Sequence, residues 1–212
     1  MITIQKFVVN PLGENSYILS DETGECVFVD PGFYYTEEKE EVKEYIAANK
    51  LKPVMIANTH CHFDHILGVE FVREQYGIPF YAHAEDAFLV ERSVSQAQMF
   101  GFDMQEVKPM DGWLHEGETL KFGNTKMKIL HVPGHSPGHV VFYSEEENIL
   151  VVGDVLFYGS IGRTDLPGGN YDTLISGIKT KLLTLPEDVK VYSGHGPETS
   201  VGVEKWSNPF LT

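Results

Sequence analysis

Asn58-Thr59-His60-Cys61-His62-Phe63-Asp64-His65 decides how the rest of this chain is read. Three histidines and one aspartate fall within residues 60–65. The apolar run Val54-Met55-Ile56-Ala57 leads in, and Ile66 to Tyr76 leads out with the spacing of a helix that ends at Gly77. Four polar side chains this close make a poor core, because each would need a buried partner. They make a good metal site. Neutral imidazole suits zinc, iron or copper, and carboxylate adds a harder oxygen donor. In an extended segment alternate side chains point to opposite sides. His60 and His62 then share a face, and Cys61 points away as a buried filler.

Working outward, Ile2–Val9, Tyr17–Leu19 and Cys26–Val29 read as short strands separated by turn signals. Thr36-Glu37-Glu38 starts a helix that Lys52-Pro53 stops. Phe80–Ala82 reads as a strand, Ala84 to about Val94 as a helix, and Gln96 to Gly112 has no clear period. Leu120–Phe122, Met127–His131, Val140–Tyr143, Ile149–Val152 and Val189–Tyr192 are strands. Asp172 is the expected cap of a helix over Thr173–Leu183. Each half of the chain opens with strands and then pairs a strand with a helix. That pattern predicts an α/β (α+β) architecture of two sheets packed face to face with helices outside, in one domain over 1–212.

Three more ligand types stand in telling places. His135 lies in the turn Val132-Pro133-Gly134-His135-Ser136-Pro137-Gly138-His139, Asp154 follows Ile149-Leu150-Val151-Val152-Gly153, and His195 sits in Ser193-Gly194-His195-Gly196. Each is a polar residue just past the C-terminal end of an apolar strand, where layered α/β folds build their sites. The set His60, His62, Asp64, His65, His135, Asp154 and His195 is too large for one four-coordinate zinc. It suits two ions roughly 3.5–4 Å apart that share a carboxylate, and Asp154 is the natural bridge. His83, His115 and His131 stay outside the set, as does His139, which could orient a neighbour.

Bulk properties remove other classes. The chain has 212 residues and a net charge of −15, with a pI near 4.9. Acidity of that order disfavours nucleic acid and anionic membranes. No apolar run approaches the roughly 20 residues of a membrane span, and Met1 to Lys6 lacks the opening of a signal peptide, so the expected address is the cytoplasm. Two cysteines, Cys26 and Cys61, make a disulfide framework improbable.

At this point the chain resembles the metallo-β-lactamase-fold hydrolases. His60, His62, Asp64 and His65 match their H-x-H-x-D-H motif, and His135, Asp154 and His195 match their later ligands. Asp30, in Val29-Asp30-Pro31-Gly32, matches a supporting element. The resemblance implies a four-layer αβ/βα sandwich. It also implies one metal on His60, His62 and His135, a second on Asp64, His65 and His195, and Asp154 between them. Two zinc ions are expected, with iron or manganese as alternatives. The β-lactamases of the commonest zinc class place Arg and Cys where this chain has His65 and Asp154. The run Gly153 to Gly169 and the ending from Gly194 look like the glyoxalase II type, although members of that type continue into a helical domain beyond the point where this sequence ends. Gly162-Arg163-Thr164-Asp165 is shared with mononuclear iron persulfide dioxygenases. The implied activity is hydrolysis of a small-molecule thioester, with Asp64 and Asp154 as catalytic residues and Arg163 pairing with a substrate carboxylate. The alternatives are the dioxygenase and another ester or lactone hydrolase. Phe33, Tyr34, Tyr35, Met99, Phe100 and Phe102 are expected either at the pocket mouth or in the core.

Overall fold

The computed structural model describes residues 1–212. The first half contains β1 (Thr3–Val9), β2 (Glu14–Ser20), β3 (Glu25–Val29), α1 (Thr36–Ala48), β4 (Lys52–Ala57), α2 (Val69–Tyr76), β5 (Phe80–Ala82), α3 (Ala87–Glu91), α4 (Ser93–Met99) and β6 (Gly112–Trp113). The second contains β7 (Thr119–Phe122), β8 (Thr125–His131), β9 (Val140–Ser144), β10 (Ile149–Gly153), β11 (Leu156–Phe157), β12 (Ser160–Ile161), α5 (Tyr171–Gly177), β13 (Lys190–Ser193), β14 (Thr199–Ser200) and α6 (Val201–Ser207). One six-stranded sheet has the order β1-β2-β3-β4-β5-β6, the other β14-β13-β10-β9-β8-β7, and β11-β12 is a separate hairpin.

Strand alternation builds the layers. On β2, Tyr17 and Leu19 face the second sheet while Ile18 faces the helices; on β3, Val27 and Val29 oppose Cys26 and Phe28 in the same way. On β9 and β10, Val140, Phe142, Ile149 and Val151 join the inter-sheet core, whereas Val141, Tyr143, Leu150 and Val152 pack toward Leu174, Ile178 and Val201. Three apolar cores therefore separate four layers, helix, sheet, sheet and helix, as the resemblance implied. Cys61 belongs to the helix-side core with Phe63 and Ile66, so it is filler. No helix is long and apolar enough to cross a membrane.

Four expectations need correction. The helix expected from Ile66 begins at Val69, because Phe63–His65 first form a 3-10 turn. The helix expected over Ala84–Val94 is a 3-10 turn at Ala84–Asp86 followed by α3 and α4, which break at Arg92. Asp172 is not the cap of α5: Asn170 accepts from the Thr173 N–H at 2.9 Å, and a π-helical turn, Ile178–Leu182, extends the helix. The elements β14 and α6 fall where no element was expected. Ser200 caps α6 by accepting from the Val203 N–H at 3.2 Å.

Candidate metal centre

β9 is antiparallel to both β8 and β10, and β13 is parallel to β10, so β8, β10 and β13 run the same way. The residues that follow them, His135, Asp154 and His195, consequently emerge at one edge. The His60–His65 segment reaches that edge from β4 in the other sheet. All seven residues singled out in the sequence meet there. Donor atoms of His60, His62 and His135 lie within 4.8 Å of one another, and so do those of Asp64, His65 and His195. Asp154 stands between the two sets. Its Oδ2 is 3.6 Å from His135 Nε2 and 3.7 Å from His195 Nε2, and its Oδ1 is 3.4 Å from His65 Nε2. The 3-10 turn at Phe63–His65 rotates Asp64 and His65 away from the face that His60 and His62 share.

The donors fit a cation because the protein leaves them without partners. His60 Nε2, His62 Nε2, His65 Nε2 and Asp154 Oδ1 are buried and accept or donate nothing. Orphaned polar atoms at this density are costly in a folded interior. His62 Nδ1 and His135 Nε2 face each other at 2.8 Å, which two lone pairs tolerate only with a proton or a cation between them.

The other atoms of these side chains are fixed. His135 Nδ1 donates to the Arg163 carbonyl at 2.8 Å. His65 Nδ1 donates to Asp30 at 3.2 Å, with Glu14 Oε1 at 3.6 Å. Asp30 also accepts from the Thr59 N–H at 2.7 Å and hydroxyl at 2.6 Å, and that hydroxyl lies 3.1 Å from His60 Nδ1. Asp30 holds this position with φ at 50°, a strained value for a residue with a side chain. His139 is an orienting group: its Nε2 accepts from the Asp154 N–H at 3.1 Å, and its ring stacks on His60 at 4.7 Å. At Gly194 a Cβ would collide with Asp154 Oδ1 and His65, so only glycine lets the chain pass the donors this closely.

Burial and the neighbouring imidazoles drive His60 and His139 well below the usual histidine range. Burial and the His135 ring take His62 down to about 3. All three rings are neutral at pH 7, which suits His60 and His62 as metal donors. Burial also opposes charge on His65, but the Asp154 and Asp64 carboxylates outweigh it and lift His65 well above the usual value. Asp154 responds in kind: burial disfavours its charge, yet His65, His195 and His135 hold its carboxyl far below the ordinary range.

Three contributors escaped the sequence reading: Thr59, Glu14 and Asp86. Asp86 is fully buried and accepts from the Cys61 N–H at 3.0 Å, the Ser136 hydroxyl at 2.8 Å and the Gly138 N–H at 2.7 Å. It thereby ties the His60–His62 segment to the His135 turn. Nothing adjacent in the chain marks it, because it sits in an ordinary helix-start sequence.

A pocket of about 580 Å³ opens over the centre, with His62, Asp64, His135, Asp154 and His195 at its base and Arg163 at its edge. Arg163 is not a free cation: its Nε and Nη2 each donate to Asp165 at 2.7 Å. Of the six aromatic and methionine residues considered for the mouth, only Phe100 lines it; Phe33 and Phe102 are core, and Met99 is exposed elsewhere.

This fold and this donor arrangement define a metallo-hydrolase of the αβ/βα class. The chain belongs to the metallo-beta-lactamase superfamily, whose profile matches residues 9–195. It is 41% identical over 208 residues to a probable metallo-hydrolase, YqgX, of Bacillus subtilis, covering 98% of this chain and 96% of that protein. It is 39% identical over 212 residues to hydroxyacylglutathione hydrolase GloC of Haemophilus influenzae, covering 99% and 98%. Among solved structures, BLEG-1 B3 metallo-beta-lactamase aligns with TM-score 0.91 at 38% identity over 99% of this chain and 100% of that one. TTHA1623 in a di-iron-bound form aligns with TM-score 0.88 at 38% identity over 98% and 100%.

Proposed function

We propose that this protein is a dinuclear metal-dependent thioester hydrolase of the glyoxalase II type. The observation that carries the reading is the pair of donor sets, His60/His62/His135 and Asp64/His65/His195, joined by Asp154 beneath one pocket. The likeness to GloC supports thioester hydrolysis as the reaction, and the di-iron form of TTHA1623 supports two ions per site. Zinc is the expected metal, with iron or manganese as alternatives.

Two divalent cations held by His60, His62 and His135 and by Asp64, His65 and His195 would supply hydroxide at neutral pH and Lewis acidity toward the thioester carbonyl. The chain's own residues position the reaction. Asp154 fixes the spacing between the two donor sets. Asp64 Oδ2, 3.3 Å from His195 Nε2, faces the pocket and is placed to accept the proton of the attacking water and return it to the leaving sulfur. The backbone N–H that His139 holds keeps Asp154 from turning. No serine nucleophile is required, and the chain has no Gly-x-Ser-x-Gly elbow.

Elemental analysis run beside thiol release on a thioester panel that includes S-D-lactoylglutathione tests this. The expected result is two metals per chain and turnover that vanishes when the metal is stripped. Equal rates with and without metal would sink the reading. One iron per chain, no thioester turnover and oxygen uptake with glutathione persulfide would replace it with the dioxygenase. A β-lactam belongs in the same panel, because of the BLEG-1 likeness.

A further inference from the structure

The pocket is polar at its base and apolar around its mouth. Phe63, Phe157, Ile161 and Leu166 form its walls. Leu12, Phe100 and Tyr158 form a rim, and they are 42%, 47% and 61% exposed. These three come from separate parts of the chain: the β1–β2 turn, the end of α4 and the β11–β12 turn. Three large apolar side chains from distant segments, left in water around one opening, mark a surface that is completed by an apolar ligand. The rim is also ordered. Phe100 stacks on Phe63 with ring centroids 5.2 Å apart. The hairpin that carries Tyr158 is anchored through the Gly159 N–H, which donates at 3.0 Å to the fully buried Glu204.

The charges at the mouth point the same way. Arg163 is the only lysine or arginine lining the pocket, and Asp165 occupies it through two hydrogen bonds of 2.7 Å. A glutathione moiety carries two carboxylates and one ammonium at neutral pH. On a chain of net charge −15 its carboxylates would meet one cation, for which the exposed Asp165 carboxylate competes. Polar substrate groups gain affinity from convergent partners, and the rim offers few.

Taking the thioesterase reading as its basis, we infer that the substrates are thioesters with an uncharged apolar body, an alkanoyl or arylalkanoyl group of several carbons, in preference to short hydroxyacyl esters of glutathione. The apolar body lies against Leu12, Phe100 and Tyr158, which places the thioester carbonyl over the metal donors.

The test compares kcat/KM of the zinc-loaded enzyme on acetyl, butyryl, hexanoyl and octanoyl thioesters of N-acetylcysteamine and on S-D-lactoylglutathione. Burying each added methylene is expected to raise kcat/KM roughly threefold to fourfold until the pocket is filled. Octanoyl should then exceed lactoylglutathione by at least about tenfold. The double variant Leu12→Ser, Phe100→Ser should flatten the chain-length dependence. A flat series, a preference for lactoylglutathione, or an unchanged slope in the double variant overturns the inference. Binding of the inert methyl, hexyl and octyl thioethers of N-acetylcysteamine to the loaded enzyme, followed by calorimetry, is read independently of turnover. If no thioester is hydrolysed, the thioesterase reading fails. Tighter thioether binding with length still supports the apolar site, and length-independent binding overturns it.

Discussion

Asp30 shows how much of the centre rests on side chains that orient the donors of both sets. It sits at a left-handed φ of 50° so that its two oxygens reach Thr59 and His65 at once. That orients one donor of each set, since the Thr59 hydroxyl also lies against His60 Nδ1. Asp30→Ala is expected to weaken metal binding about 10- to 100-fold, the usual cost of losing a residue that orients a ligand. Competition with a chelator measures it, and unchanged affinity would show that Thr59 and His65 hold themselves. The sequence displayed Asp30 because Pro31 and Gly32 beside it announce a turn. It displayed His135, Asp154 and His195 for the same reason, since each stands among glycines at a strand end. Thr59 and Glu14 carry no such flag. Their importance depends on contacts made across the fold.

At the scale of elements, Asp86 matters most. It ends the 3-10 turn before α3 and reaches two loops that belong to different sheets. Burial lifts its carboxyl to about 6, despite donation from Ser136, Gly138 and Cys61. Asp86→Ala leaves three donors without an acceptor in the interior. The expected loss is on the order of 1–3 kcal/mol for each donor that water cannot reach, read as a lower urea midpoint in the metal-free protein. A midpoint within error of the parent would mean that the two loops hold together without it. The same segment explains a misread element. The period of Ala84 to Val94 is helical, but the inward turn of Asp86 and the break at Arg92 divide it. Helix α5 was legible in kind and wrong in its cap, because Asn170 and Asp172 are equally good cap types and only the path of the chain chooses between them. The short elements β6, β11, β12 and β14 have two residues each, too few to show any period.

Across the whole molecule, the resemblance implied the four-layer sandwich, and two sheets packed face to face with helices outside were legible in the two-half pattern, which is a property of long runs. The pocket mouth was not, because Leu12, Phe100 and Tyr158 come together only after both halves fold. Electrostatics at this scale separates the two donor sets. The carboxylates around His65 raise it above its unfolded value, so its proton stabilises the metal-free fold below about pH 6.5 and is lost as pH rises through the higher folded value. A cation entering the Asp64/His65/His195 set must displace that proton. His60 and His62, kept neutral by burial, have none to give up at pH 7. Affinity of the Asp64/His65/His195 set should therefore rise about tenfold or more per pH unit near neutrality, because burial of His195 is outweighed by its hydrogen bond to Asp64, which raises His195 as well, while the other set stays nearly flat. Chelator competition at pH 6, 7 and 8 resolves the two, and parallel slopes would contradict the division.

The two halves are clasped where β2 meets the His195 segment. The Asn15 side chain donates to the carbonyls of Ser193 and Gly196 at 2.9 Å, and Glu14 forms a lone β-bridge with His195. His65 and His195 are 130 positions apart (195 − 65). During synthesis at about 5–20 residues per second, the first four ligands wait on the order of ten seconds for the last. Throughout that interval they form an incomplete chelate with no clasp to shape it. The Asp64/His65/His195 set is therefore complete only after β13 has paired with β10, so the last strand but one to be made closes the second half of the centre.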